Sequence, residues 1–309
     1  MPRSIIERLL PIPKDSGFRQ NGYFIWCGSI IRVDNRYHLF ASRWPEGTGN
    51  PDDLVGILDG YRQYSEIVHA TADNPIGPYR FKEVVLPGRG EGYWDGQSCH
   101  GPKIVKVNDM YVLYYQAIAC NSGLRKVGYA WSEGIEGPWN RCDHEIPLTE
   151  DANNPGPCIR PDGSVLLAYR TVSLKMHIAR ASAFDGEYET VAENIFPRGP
   201  LEDPDLYYAD GLYHMIMEDN AGVLTGSVRH GGHLVSVDGI HWRAHDPPEV
   251  YTHDIEWADG TAWTARRRER PDMFNDKAGA KGEGDPTHLI TGVLYNGHAW
   301  CVVQEIAPG

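Results

Sequence analysis

The chain has 309 residues, 41% of them hydrophobic, and a formal net charge of −13 at pH 7. That acidity excludes a general affinity for nucleic-acid backbones and offers no broad basic face to a membrane. No apolar run approaches the roughly 20 residues that span a bilayer, and 34 Gly and 22 Pro among 17 Tyr and 9 Trp favour many short strands over long helices.

In chain order, the N-terminal residues 1–8 lack the apolar core of a signal segment, and the six cysteines (27, 99, 120, 142, 158 and 301) form no CxxC pair. A reduced, cytoplasmic protein is expected, or a secreted one if a signal has been removed. A hairpin then spans residues 28–42, with Asp34-Asn35 at its turn. It recurs at 102–116 around Asn108-Asp109, at 156–170 around Asp162-Gly163, and at 204–219 around Asp210-Gly211. A fifth copy, 271–290, has a longer turn containing Gly and Lys.

Each of the first four hairpins leads into a second pair of strand-like segments: 67–73 with 78–81, 127–133 with 137–139, 178–181 with 186–188, and 234–239 with 241–242. Four strands per unit, repeated five times, predict an all-β fold, a single five-bladed β-propeller over 1–309 with blades starting near 28, 102, 156, 204 and 271. The fifth unit runs out after residue 303, so its outer strand is either supplied by the N-terminal segment or missing. Residues 45–64 and 219–232 form long connections, and long loops on a rigid scaffold tend to carry function.

First strands line the axis of a propeller, so the residues that precede them gather at one mouth of the channel. Aligning Gly28, Pro102, Gly156, Pro204 and Pro271 places Trp26, His100, Asn154, Glu202 and Glu269 in one ring, followed by Cys27, Gly101, Pro155, Asp203 and Arg270. A purely structural repeat would hold one residue type there. So many buried polar groups need either a network or a function.

Second strands return to the same mouth, which adds Arg43, Arg170, Glu218 and Asp219, and third strands leave from it, which adds His233. Asp95, in Gly92-Tyr93-Trp94-Asp95-Gly96 ahead of the second blade, is a further carboxylate candidate. His230-Gly231-Gly232-His233 lacks the geometry and third ligand of a zinc site, so no metal site is assigned. A hard cation such as Ca2+ would nonetheless suit several channel oxygens. Arg266-Arg267-Arg268 with Arg270 is unusual in so acidic a chain; one arginine facing the channel would suit an anionic sugar.

The five hairpins, Glu202-Asp203-Pro204, Ser236-Val237-Asp238-Gly239-Ile240-His241-Trp242 and Glu269-Arg270-Pro271 together resemble the five-bladed propeller glycoside hydrolases of families 32, 43, 68 and 117 over about residues 20–305. The resemblance implies cleavage of a glycosidic bond by axial carboxylates, without an organic cofactor. It implies Glu202 as general acid tuned by Asp203, with Glu269, or else Asp95, as second carboxylate. The family 43 general base, an Asp at the start of the first blade, has no counterpart in Trp26-Cys27-Gly28-Ser29, so that assignment does not carry over whole. In family 117 a histidine shares the acid work, which keeps His100 among the candidates.

Trp26, Arg43, Asn154, Arg170, Glu218, His233 and Arg270 are then expected to bind a carbohydrate. The expectation is an exo-acting, inverting glycosidase. Two other classes fit the same residues: a uronate-specific polysaccharide lyase using His100 or His233 as base with an arginine on the carboxylate, and a non-catalytic sugar-binding propeller.

Overall fold

The computed structural model describes residues 4–50, 52, 56–149, 151–279 and 284–309. After a short helix, α1 (Ile5–Arg8), the chain makes five small antiparallel sheets in succession. The first holds β1 (Tyr23–Val33), β2 (Arg36–Pro45), β3 (Glu66–Ala72) and β4 (Arg80–Leu86), with α2 (Tyr61–Tyr64) between β2 and β3. The second holds β5 (Ser98–Val107), β6 (Met110–Ile118), β7 (Arg125–Ser132) and β8 (Asn140–Arg141). The third holds β9 (Asn153–Ile159), β10 (Val165–Arg170), β11 (Met176–Ala181) and β12 (Glu189–Ala192).

In the fourth are β13 (Leu201–Ala209), β14 (Leu212–Asp219), β15 (His230–Ser236) and β16 (Arg243–Tyr251), followed by a small hairpin of β17 (Asp254–Glu256) and β18 (Ala262–Thr264). The fifth has three strands, β19 (Arg267–Phe274), β20 (His288–Tyr295) and β21 (His298–Glu305). These are the blades of a five-bladed propeller. Strands pair in chain order within each blade, and an apolar core fills each seam between neighbours: one and five, one and two, two and three, three and four, four and five.

The open side of the fifth blade is covered by the N-terminal segment. Phe18 and Cys301 exchange both backbone hydrogen bonds, at 3.0 and 3.2 Å, while the N–H of Gly17 donates to Ile76 O of blade one at 2.8 Å. The segment therefore fastens the last blade to the first. Gly17 is required there: its φ is +79°, and a Cβ would lie 1.9 Å from Cys301 O.

First strands begin a few residues before the expected starts, at Tyr23, Ser98, Asn153, Leu201 and Arg267, because each carries a bulge that keeps pairing beyond it. Trp26 pairs with Ser42 and Ser29 with Phe40, leaving Cys27 and Gly28 opposite Ala41 alone. The fourth strands begin a few residues later than expected, since Pro78, Pro138 and Tyr188 fall in the turns that precede them. The Ser236–Trp242 motif is one of these turns: Asp238 Oδ1 accepts the N–H groups of Ile240 and His241 at 2.8 and 2.9 Å.

Candidate active site

The five bulges build the channel mouth. The first bulge residue of each blade, Cys27, Gly101, Asn154, Asp203 and Arg270, has φ between +51° and +64°. Only one is glycine. A side chain in this region costs about 1–2 kcal/mol, least for Asn and Asp, so Cys27 and Arg270 hold positions that local energetics disfavour. The bulge shows that the third blade aligns one residue earlier than expected: Asn153 pairs with Arg170, so Asn154 belongs with Asp203 and Arg270, and Asn153 with Glu202 and Glu269.

Three tiers result. The floor comprises Ser29, Lys103, Gly156, Asp205 and Asp272, one residue past each bulge. Here the Lys103 ammonium donates to Asp205 Oδ1 at 2.8 Å, Pro271 O at 2.8 Å and Asp272 Oδ1 at 3.0 Å, all buried. In the middle tier, Arg270 Nη1 donates to Asn154 Oδ1 at 2.7 Å and to Asp203 Oδ1 at 2.6 Å, and Asn154 Nδ2 donates to the same Asp203 oxygen at 2.6 Å. Burial and the neighbouring Glu202 and Glu269 push Asp203 up to about 7 in spite of Arg270.

The upper tier opens into a pocket of about 130 Å3. Trp26, His100, Glu202 and Glu269 line it, together with Arg170 and Arg270. Both long loops reach it: Leu58, Asp59, Tyr61 and Arg62 from the first, and Arg229 from the second, with Asn220 bonded to Glu202 behind the wall. Glu202 Oε1 meets Arg170 Nη2 at 2.5 Å, and its Oε2 accepts from Asn220 Nδ2 at 2.9 Å. Burial raises its pKa, but Arg170 and Arg270 prevail and hold it near 2, so Glu202 is a carboxylate at neutral pH.

Glu218 lies opposite Glu202 across the β13–β14 ladder and is fully buried. Burial, with Glu269, Asp203 and Glu202 close by, pushes it well above the usual carboxylate range, so it keeps its proton. Arg229 Nη1 joins Glu218 Oε1 at 2.9 Å to Glu269 Oε1 at 3.0 Å, and Arg267 Nε also donates to Glu269. One guanidinium thus bridges the two glutamates, with Glu269 facing the pocket.

His100 is in the wall with both ring nitrogens engaged, Nδ1 with Ser65 Oγ at 2.9 Å and Nε2 with Cys27 Sγ at 3.4 Å. Burial and the charges of Arg270 and Arg62 drive its pKa well below 6.5, so it is neutral and has no proton to give as an acid. Cys27 is pushed up to about 12 by burial, which keeps it a thiol.

Three expected site residues lie elsewhere. Side chains alternate along a strand, so Trp44 faces the pocket while Arg43 points away, bonded to Glu66 at 2.8 Å and Gln20 at 2.9 Å over the rings of Tyr23 and Phe81. His233 stacks on His245 and bonds His214 at 2.9 Å within blade four. Asp95 is sealed in the seam of blades one and two by Arg89, Arg141 and Tyr115. Asp219, by contrast, holds its own loop, accepting the N–H groups of Val223, Leu224 and Thr225. Arg229, Arg125, Arg62 and Tyr61 were not anticipated; for Arg229, Arg62 and Tyr61 only loop length pointed there, and Arg125 opens β7 without any motif.

Asp203, Glu218 and Glu269 bring oxygens within 4.8 Å of one another. Ca2+ needs 6–8 oxygens free to converge on it, and these carboxylates are already engaged by guanidinium groups. Arg229 and Arg270 already balance them, and the Lys103 ammonium holds the channel below. This donor set does not fit a channel Ca2+, and no step is derived through one.

No protein-family profile matches the sequence, and a search of curated proteins finds no significant match. Solved structures do match. Zg3597, a family 117 glycoside hydrolase of the marine bacterium Zobellia galactanivorans, aligns with TM-score 0.68 and 14% identity over 96% of this chain and 88% of its own. The catalytic domain of a Coprinopsis cinerea family 62 α-L-arabinofuranosidase aligns with TM-score 0.66 and 14% identity over 97% and 96%. CoXyl43, a family 43 β-xylosidase/α-arabinofuranosidase from a compost microbial metagenome, solved with xylotriose, aligns with TM-score 0.65 and 10% identity over 97% and 96%. The fold is that of the five-bladed propeller glycoside hydrolases. At these identities the likeness is one of architecture, and the chemistry rests on this chain's own pocket.

Proposed function

We propose that this chain is a glycoside hydrolase that releases an anionic sugar from the end of an oligosaccharide or polysaccharide, with inversion. The observation that carries the reading is the pair of opposed carboxyl environments on one rim: Glu202 kept ionised and Glu218 kept protonated beside Glu269. Groups whose pKa values are driven apart in this way are suited to serve as base and acid. Glu202 takes a proton from water as the water oxygen bonds to the anomeric carbon. The leaving oxygen takes a proton from Glu218, whose carboxyl lies beside Glu269 at the wall. Glu202 thus acts as base instead of the acid that its Glu-Asp-Pro setting implied.

Both Glu202 oxygens are engaged, Oε1 by Arg170 and Oε2 by Asn220, which suits positioning a water better than attacking carbon, and water attack inverts. A pocket of about 130 Å3 with the Arg270–Asp203–Asn154 network beneath it admits a chain end and not a through-running chain, which favours exo action. Six arginines (62, 125, 170, 229, 267 and 270) line it, Arg125 paired with Asp151 and the other five set against the acids Asp59, Glu202 and Glu269 with Asp203 below, in a chain of net charge −13. That surplus suits a carboxylate or sulfate on the sugar. The reading needs no organic cofactor.

The test is proton NMR of digests of uronate-terminated and matched neutral oligosaccharides. Expected is release of single charged sugars with the anomer inverted, and turnover of the neutral analogues slower by about 30-fold or more, the worth of one charge-assisted hydrogen bond to an arginine. Internal cleavage or a retained anomer would overturn the exo or inverting assignment, and an intact saccharide would overturn the hydrolase. The arginine surplus equally suits β-elimination on a uronate; an unsaturated, ultraviolet-absorbing product would decide for that lyase reading.

Activity is expected to fall on the alkaline side as Glu218 loses its proton. Arg229 favours the charged form of Glu218, so Arg229→Met should raise the pKa of Glu218 and move this limb to higher pH. A pH–rate profile of kcat/KM checks it; an unmoved or lowered limb would contradict the assigned acid.

A further inference from the structure

Beside the axial pocket, the structure has a second cleft, of about 540 Å3, between blades two and three. Leu124, Thr149 and Asp151 form one side, and Thr171, Val172 and His177 the other. The two spaces share a wall. Arg125 and Arg170 line the axial pocket, while their chain neighbours Leu124 and Thr171 line the cleft. The Arg125–Asp151 ion pair, with Nη2 to Oδ2 at 3.2 Å and the Arg125 N–H to Oδ1 at 3.0 Å, stands between them.

The lining calls for a ligand with hydroxyls. His177 is 6% exposed and stacks on Tyr169 with ring centroids 5.3 Å apart, yet neither ring nitrogen has a hydrogen-bond partner among the described residues. Thr149 Oγ1 is likewise buried and unpartnered. Buried polar atoms left so are uncommon and costly, and a ligand that supplies both a donor and an acceptor would satisfy them. Burial lowers the pKa of His177, so the ring is neutral, one nitrogen donating and the other accepting, which matches a sugar hydroxyl pair. Leu124 and Val172 are exposed at 43% and 62% and offer apolar surface to the C–H face of a sugar ring. Asp151 is neutralised by Arg125, which leaves the exposed Lys175 as the one unbalanced charge of the lining, against the several arginines of the pocket next to it.

We propose that this cleft binds the sugar units that follow the one held in the axial pocket, with His177 and Thr149 meeting their hydroxyls. The proposal rests on the reading that the pocket takes the end of a saccharide chain. It makes the enzyme chain-length selective, and it assigns to blades two and three the recognition that blades four and five leave to chemistry.

The test compares wild type with His177→Ala and Thr149→Val on two probes: a uronate-terminated tetrasaccharide and the nitrophenyl uronide with the same terminal sugar. His177→Ala is expected to lose roughly 10-fold in kcat/KM on the tetrasaccharide, about the worth of one or two hydrogen bonds, chiefly through KM, and to match wild type on the nitrophenyl uronide. Equal losses on both probes would show a merely structural histidine, and no loss on either would empty the cleft of function; each overturns the proposal. Tetrasaccharide titration followed by the histidine ring NMR signals separates this from the hydrolase reading. If neither probe is cleaved, the hydrolase fails alone, while a His177 signal that shifts with tetrasaccharide upholds the cleft and one that stays fixed overturns it.

Discussion

Glu202→Gln is expected to lower kcat by about 10²–10⁴-fold, the usual worth of a positioned acid or base, while the blades stay assembled. Glutamine keeps the shape of the side chain and an oxygen to accept from Arg170 or Asn220, so the wall of the pocket is preserved. What it loses is the charge that can take a proton from water. Asp95→Asn is the informative control. Asp95 was the alternative to Glu269 as second carboxylate by sequence position, yet it is sealed by Arg89, Arg141 and Tyr115 away from the pocket, so this change is expected to lower the melting temperature and leave kcat of the folded enzyme as it was. Steady-state kinetics and thermal unfolding of the two variants check both statements; near-normal turnover in Glu202→Gln would sink the assigned base.

The second large effect is on stability. Lys103→Met is expected to destabilise the protein by about 3–5 kcal/mol, the range for removing one partner of a buried ion pair. Lys103 meets two buried carboxylates at 2.8 and 3.0 Å and closes the floor of the channel with a third contact, to Pro271 O. Without the ammonium, Asp205 and Asp272 face each other across the axis with no cation between blades two, four and five. Burial already raises the pKa of Asp272 against the pull of Lys103, so in the variant this group should take up a proton. Adding Asp272→Asn to Lys103→Met is therefore expected to recover part of the loss. Urea unfolding measures it, and a change below about 1 kcal/mol in the single variant would contradict a stabilising role for the floor.

The blades were legible because a hairpin with an Asp/Asn/Gly turn leaves the same trace wherever it occurs, and five such traces in order leave few architectures. Strand starts were less legible. The bulge that opens each blade inserts a residue with positive φ, and its signature is a proline in the next position of four blades, Pro102, Pro155, Pro204 and Pro271; in three of them it was read as the strand's beginning, and in the third blade Gly156 was. In the third blade two consecutive asparagines and the Gly156 anchor hid the register, which moved Asn154 by one tier.

Carboxylates on first strands were placed near the axis because position in a blade fixes direction. Arg43 and His233 were not, because a single step along a strand reverses the face. Roles were harder still. Glu202 resembles an acid by its Glu-Asp-Pro setting, yet whether a carboxyl holds or sheds its proton depends on Arg170, Arg270 and Asn220, which arrive from other blades and from a loop without pattern. The arginine run 266–268 divides for the same reason: Arg267 reaches the pocket, whereas Arg268 turns to Thr291 and Gln304 on the far side.

The central claim is that the axial pocket takes the charged end of a saccharide between Glu202 and Glu269. A crystal structure of Glu202→Gln with a uronate-terminated trisaccharide tests it most directly. The expected map shows the terminal ring in the pocket, its anomeric carbon between positions 202 and 269, its carboxylate on the arginines and the following units toward His177. A saccharide seated only on another surface would contradict the account.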